Sequence, residues 1–290
     1  MSDGVRLQAG GAAAGGPTPG RSSDLALRVA SGVVMAALAL AAAWIGGWIF
    51  GLFWTLAALL VLREWIGILG VQRRAVAAWI AGGIGVAAAG VFAEQAGLSR
   101  PELWIAVTLA ACAAAAIAPE RRGGVGLGVL YAAVIAAVPA ALRADPGHGL
   151  TAIAWLFAVV WLTDIGAYFV GRALGGPKLW PRVSPKKTWS GFVGGVAIGT
   201  IGAVAVAHGV AGFVGKAWYG GAGLVALSLL AALLSQGGDL LESAMKRRFD
   251  VKDSSHLIPG HGGVMDRLDS FWAVCMLMGG LILITGAPAP

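Results

Sequence analysis

The chain has 290 residues, of which 58% are hydrophobic and only 12% charged, with 46 glycines and a mean hydropathy of +0.80. A soluble domain carries about 25% charged residues, and no soluble fold hides this much apolar surface. The formal charge of +7 would hint at a nucleic-acid partner in a soluble protein; in a membrane protein it first marks the cytoplasmic side, and no nucleic-acid partner is expected. Cys112 and Cys275 both lie in apolar runs and read as small buried hydrophobes, so neither a disulfide framework nor a cysteine metal site is expected.

Residues 1–27 are Gly, Ala, Pro and Ser without an apolar period and are expected to form a disordered tail. Nine apolar stretches follow: Val29–Ile45, Trp48–Leu62, Ala75–Phe92, Leu103–Ala118, Val125–Leu142, Thr151–Val170, Gly191–Ala211, Gly221–Gln236 and Phe271–Gly286. The expected fold is an all-α polytopic membrane protein of nine transmembrane helices, N-terminus cytoplasmic and C-terminus outside. Eighteen of the 21 Lys and Arg then fall on the cytoplasmic side, leaving Arg100, Arg143 and Lys216 outside, as the positive-inside rule requires. Residues 28–148 hold about five spans, and residues 149–290 form a second region with two cytoplasmic loops, 172–190 and 237–270. Glycines such as Gly82-Gly83 and Gly194-Gly195 would let backbones approach closely, although a compositional bias toward Ala and Gly explains them equally well.

Those two loops, with Asp164, carry 10 of the 21 basic and 7 of the 14 acidic residues. Asp239, Glu242, Ser243 and Lys246 recur at i, i+3, i+4 and i+7, one face of a helix leaving span eight. Asp266, Asp269 and Ser270 repeat that spacing at the entrance of span nine. Between them, Pro259-Gly260-His261-Gly262-Gly263 can expose consecutive N–H groups to an anion. A basic loop alone would be topogenic, but interleaved carboxylates do not help retention on an anionic leaflet. Carboxylates near the membrane core cost about 2.5–3.5 kcal/mol and mark function by default. Hard oxygens beside a phosphate-compatible loop suit Mg²⁺ and phosphoryl or nucleotidyl transfer.

The run Ser243-x-x-Lys246-Arg247-x4-Lys252-Asp253, then Pro259-x-His261-Gly262-Gly263-x-x-Asp266-Arg267-x-Asp269, closely resembles the signature of phosphatidate cytidylyltransferases, the CDP-diacylglycerol synthases. The resemblance extends to Asp164–Arg172, to Ser184-Pro-Lys186-Lys187-Thr188 and to Gly238–Ser243, and in the N-terminal half to the Arg63-Glu64-Trp65 corner, but Ser190 stands where family members commonly carry Glu. It implies that CTP and phosphatidic acid give CDP-diacylglycerol and pyrophosphate with Mg²⁺. One cation or two, and a monovalent ion among them, are left open. It also implies a homodimer in the bacterial inner membrane with the site facing the cytoplasm.

Carried over by position, Asp239 and Asp266 are expected to ligate the cation, with Glu242 and Asp269 as secondary candidates. Lys246, Arg247 and Arg267 would neutralise phosphates, and Gly260, His261, Gly262 and Gly263 would hold the triphosphate. Ser184, Lys186, Lys187 and Thr188, with Ser243, Lys252 and Asp253, would contact substrate, and Asp164 and Tyr168, at i and i+4, would face the same cleft. Trp180 and Trp189 are either interfacial anchors or the lining of the cytosine site. Two rivals remain: a CTP-dependent polyprenol or phytol kinase, which releases CDP, and an ion-coupled transporter using the membrane carboxylates.

Overall fold

The computed structural model describes residues 21–214, 218, 220–258 and 262–286. Among them are nine α-helices: α1 (Arg21–Ile45), α2 (Gly47–Ile68), α3 (Ala75–Ala96), α4 (Pro101–Ile117), α5 (Arg122–Arg143), α6 (Gly149–Leu174), α7 (Trp189–Val214), α8 (Gly221–Arg248) and α9 (Met265–Thr285). Each expected apolar stretch falls on one helix, with Ala118 and Gly286 one residue past the ends of α4 and α9. Seven helices are long and apolar enough to cross a membrane, while the apolar part of α1, Val29–Ile45, and α4 are shorter. The protein is therefore an all-α polytopic membrane protein, with one addition to that class: β1 (Lys178–Trp180) and β2 (Ser184–Thr188) pair antiparallel as a hairpin between α6 and α7.

The tail boundary moves. Helix α1 begins at Arg21, inside the stretch expected to be unstructured, because Leu25-Ala-Leu-Arg28 favours helix and no Gly or Pro intervenes before Gly32. Residues 1–20, Lys216, Pro259, Gly260 and His261 lie outside the described residues.

Small residues decide how the helices meet. Along α7, Gly191, Gly195 and Gly199 recur every fourth residue and face α6. A Cβ on Gly195 would lie 2.6 Å from the Thr163 carbonyl oxygen, and one on Gly191 would lie 2.7 Å from that of Ala167. Gly82 is likewise filled by Val129, at 2.6 Å. At these positions the glycines are contact surfaces, so compositional bias does not account for them. On Gly209 and Gly212 a Cβ would meet nothing, and bias suffices there.

Long-range hydrogen bonds gather several connections at one end of the bundle. Trp65 Nε1 donates to Gly124 O at 2.8 Å, and Arg74 Nη1 to Ile117 O at 3.1 Å. Glu64, near the C-terminal end of α2, accepts from the segment preceding α9. Elsewhere, Arg143 at the end of α5 donates through Nε to Ala43 O of α1 at 2.7 Å.

Candidate active site

Helix α8 is the spine of the site. It runs unbroken from Gly221 to Arg248, so the face expected from the i, i+3, i+4, i+7 spacing forms without interruption. Ser243 Oγ donates to Asp239 Oδ1 at 3.3 Å. Lys246 Nζ stands 3.4 Å from Glu242 Oε2 on its own helix and donates to Asp266 Oδ1 of α9 at 2.8 Å. This lysine is half-buried, and the side chains of both carboxylates it joins are buried. Helices α8 and α9 approach closely here because Gly238 has no side chain: a Cβ would lie 2.6 Å from Asp269 O.

The hairpin brings the second loop to the same helix. Lys187, on β2, reaches Asp239 Oδ2 at 2.6 Å and lies 3.5 Å from Gln236 Oε1. Thr188 Oγ1 accepts from Gly191 N at 3.1 Å, an N-capping bond for α7, so this hydroxyl anchors the hairpin. Ser190 Oγ donates to Gly175 O and lies 3.1 Å from Thr188 Oγ1. Ser190 therefore ties the two ends of the hairpin together. Ser184 is half-buried and Lys186 exposed.

Asp266, in the first turn of α9, holds the segments before its helix as well as meeting Lys246. Its oxygens accept from Gly263 N at 2.8 Å and from Ser254 N at 3.0 and 3.2 Å. Gly262, with φ of +83°, makes the tight bend before the helix start. Asp269 is buried, accepts from Ser270 N at 2.6 Å and faces Glu242 within hydrogen-bonding reach. Asp164 feels the charges of Asp269, Asp239, Lys187 and Arg267, so α6 borders the same cleft. Tyr168, one turn further along α6, is 58% exposed and its hydroxyl accepts from Arg172 Nη1 at 2.9 Å. Arg247, Lys252, Asp253 and Arg267 are exposed and make no ion pair among the described residues. Trp180 and Trp189 are about half exposed, at 52% and 51%.

The donor set is compatible with Mg²⁺. Among the described residues no three His, Cys, Asp or Glu side chains are grouped closely enough to hold a metal alone. Mg²⁺ seldom needs that, because it takes one or two carboxylates and completes its shell with water and substrate phosphate. Neither Glu242 oxygen has a hydrogen-bond donor, and buried neighbouring carboxylates require compensating positive charge.

Two residues contribute that had no role assigned from the sequence. Tyr131 of α5 stacks on Trp272 at 4.5 Å between ring centroids and stands near Glu242 and Asp269. It lines a half-open apolar groove of about 710 Å³ between α5, α8 and α9, with Leu127, Leu241 and Met276 along it and Glu242 as the one charged residue of the lining. Glu64 is buried at 6% exposure and receives four hydrogen bonds around the start of α9. The signal for Tyr131 is a polar group inside an apolar run, and that for Glu64 is its place in the Arg63-Glu64-Trp65 corner.

Helical bundle, hairpin lysine and paired acidic helix ends define a membrane-embedded site for polyphosphate chemistry. The profile of the cytidylyltransferase family matches residues 26–284, and the chain belongs to that family. It is similar to the phosphatidate cytidylyltransferase of Brucella suis, with 40% identity over 263 residues, covering 88% of this chain and 92% of the relative. The proteins of the same name from Bacillus subtilis and Staphylococcus aureus are 48% identical over 124 residues and 44% identical over 136. These two matches cover 43% and 47% of this chain, and 44% and 50% of the relatives.

Proposed function

We propose that the protein makes CDP-diacylglycerol from CTP and phosphatidate at the cytoplasmic face of the bacterial inner membrane. The observation that carries this reading is that both charged loops converge on one helix: Lys187 meets Asp239, and Lys246 joins Glu242 to Asp266. The names of the Brucella, Bacillus and Staphylococcus relatives support the same substrates.

A phosphatidate phosphate carries negative charge at neutral pH, as phosphomonoesters with a second pKa of about 6 do, so it attacks without a general base. Its oxygen bonds to the α-phosphorus of CTP while the bond from that phosphorus to the bridging oxygen breaks. Pyrophosphate leaves with the electron pair. The protein's task is to hold two polyanions in line and to neutralise them. Lys187 and Lys246, already placed against carboxylates, and the exposed Arg247 and Arg267 supply that charge. Asp239 and Asp266 would hold Mg²⁺, with Glu242 and Asp269 behind them. Bound there, the ion would stabilise charge on phosphate oxygens as a Lewis acid. The apolar groove lined in part by Glu242 offers acyl chains a path beside the phosphate.

We assign nine crossings with the N-terminus inside and the C-terminus outside. The 18 to 3 distribution of Lys and Arg supports this orientation, and the proposed active form is a homodimer. Purified protein given CTP and phosphatidate in mixed micelles should release pyrophosphate only when both are present. Release of CDP would instead identify a lipid-alcohol kinase, and release of neither would overturn the enzymatic reading.

A further inference from the structure

Glu64 lies in α2, almost 200 residues from the charged loop in sequence, yet its two oxygens are the hub of that loop. They accept from Val264 N at 3.0 Å and Met265 N at 2.7 Å, two of the N–H groups that the first turn of α9 leaves unpaired. They also accept from Ser254 Oγ at 3.1 Å and Ser255 Oγ at 2.6 Å. A carboxylate at a helix N-terminus is favoured electrostatically, and this one ties the last turns of α2 to two separate segments.

The same segments hold Asp266. Ser254 gives its hydroxyl to Glu64 and its backbone N–H to Asp266, while Gly263 N and Val264 N divide in the same way. Gly263 sits between the two acids: a Cβ there would lie 2.7 Å from both Glu64 oxygens. Glu64 does not touch Lys246, but the carboxylate it steadies through shared neighbours is the one Lys246 meets at 2.8 Å.

We propose that Glu64 is a positioning residue of the catalytic centre. It clamps Ser254, Ser255 and the first turn of α9, and so fixes the direction in which Asp266 faces Lys246. The inference rests on the cytidylyltransferase reading for what is catalysed, but its geometry does not depend on that reading. A mere helix cap would change stability without separating kcat from KM.

The test uses the full-length enzyme in micelles, with E64Q, E64D and S255A assayed for pyrophosphate release and followed by hydrogen–deuterium exchange. Gln keeps the shape but puts an amide donor against N–H donors. E64Q should lower kcat by about 10–100-fold, as loss of supporting partners around a site does, with the KM for CTP nearly unchanged. Exchange should quicken at 250–258 and 262–270 and stay unchanged in α3 and α7. E64D should recover part of kcat, and S255A, which removes one donor, should cost about 2–10-fold.

A kcat for E64Q within about twofold of wild type overturns the proposal. So does faster exchange throughout the bundle with no recovery in E64D, which would make Glu64 a general stabiliser. Should E64Q fail to fold, wild-type kcat in S255A overturns it equally. If wild type releases no pyrophosphate while E64Q still loosens only these two segments, the functional reading fails and the clamp stands.

Discussion

Replacing Lys246 by Met removes the one ammonium group that faces both Glu242 and Asp266. At 2.8 Å and an effective dielectric constant of 20, its attraction to Asp266 is on the order of 6 kcal/mol before the cost of desolvating the ammonium is subtracted. That cost is several kcal/mol, and breaking a buried ion pair by removing one partner typically costs about 3–5 kcal/mol net. Asp266 keeps its contacts with Gly263 N and Ser254 N, which offset part of the loss. K246M should therefore be less stable by about 3 kcal/mol, the low end of that range, in reversible unfolding from micelles. D266N in the same background should add little, because the pair is already broken. A loss below about 1 kcal/mol in K246M, or additive losses in the double variant, would refute the claim that this lysine ties α8 to α9 through Asp266.

Other outcomes follow from the same geometry. D239N should abolish turnover with the protein still folded, as judged by gel filtration and circular dichroism; near-normal activity would remove Asp239 from the centre. K187A should raise the apparent KM for a substrate or lower kcat, because the hairpin loses its grip on α8 at Asp239; unchanged kinetics would detach the hairpin from the site. G195L should separate α6 from α7, since even a Cβ would come within 2.6 Å of Thr163 O, and a drop in thermal stability well above that of G209L would show the difference. Equal effects at the two positions would contradict the close packing assigned to Gly195.

Much of the bundle was legible in the sequence because apolar runs separated by basic corners leave few alternatives, and each of nine stretches became one helix. The acidic face of α8 was legible for a related reason: a fixed spacing of charged residues beside a span has one helical interpretation. Partnerships were not legible. Nothing in Ser184–Thr188 marks it as a strand, and Lys187 finds Asp239 only because the hairpin folds back over α8. Thr188, read as a substrate donor, is also the cap of α7, a role invisible until the helix start is known. Glu64 was marked only as part of the Arg63-Glu64-Trp65 corner, without a role, and its four donors come from a part of the chain that no local pattern connects to it. Glycine content could not be divided between packing and compositional bias until neighbours were placed, and it proves to be both.

The central claim is that α8, α9 and the α6–α7 hairpin form one nucleotide site at the cytoplasmic face. Its most direct test is the structure of the protein with a non-hydrolysable CTP analogue and Mg²⁺. The account predicts the triphosphate between Lys187 and the Asp239, Glu242 and Asp266 carboxylates. A nucleotide bound at the opposite end of the bundle, or out of reach of α8, would contradict it.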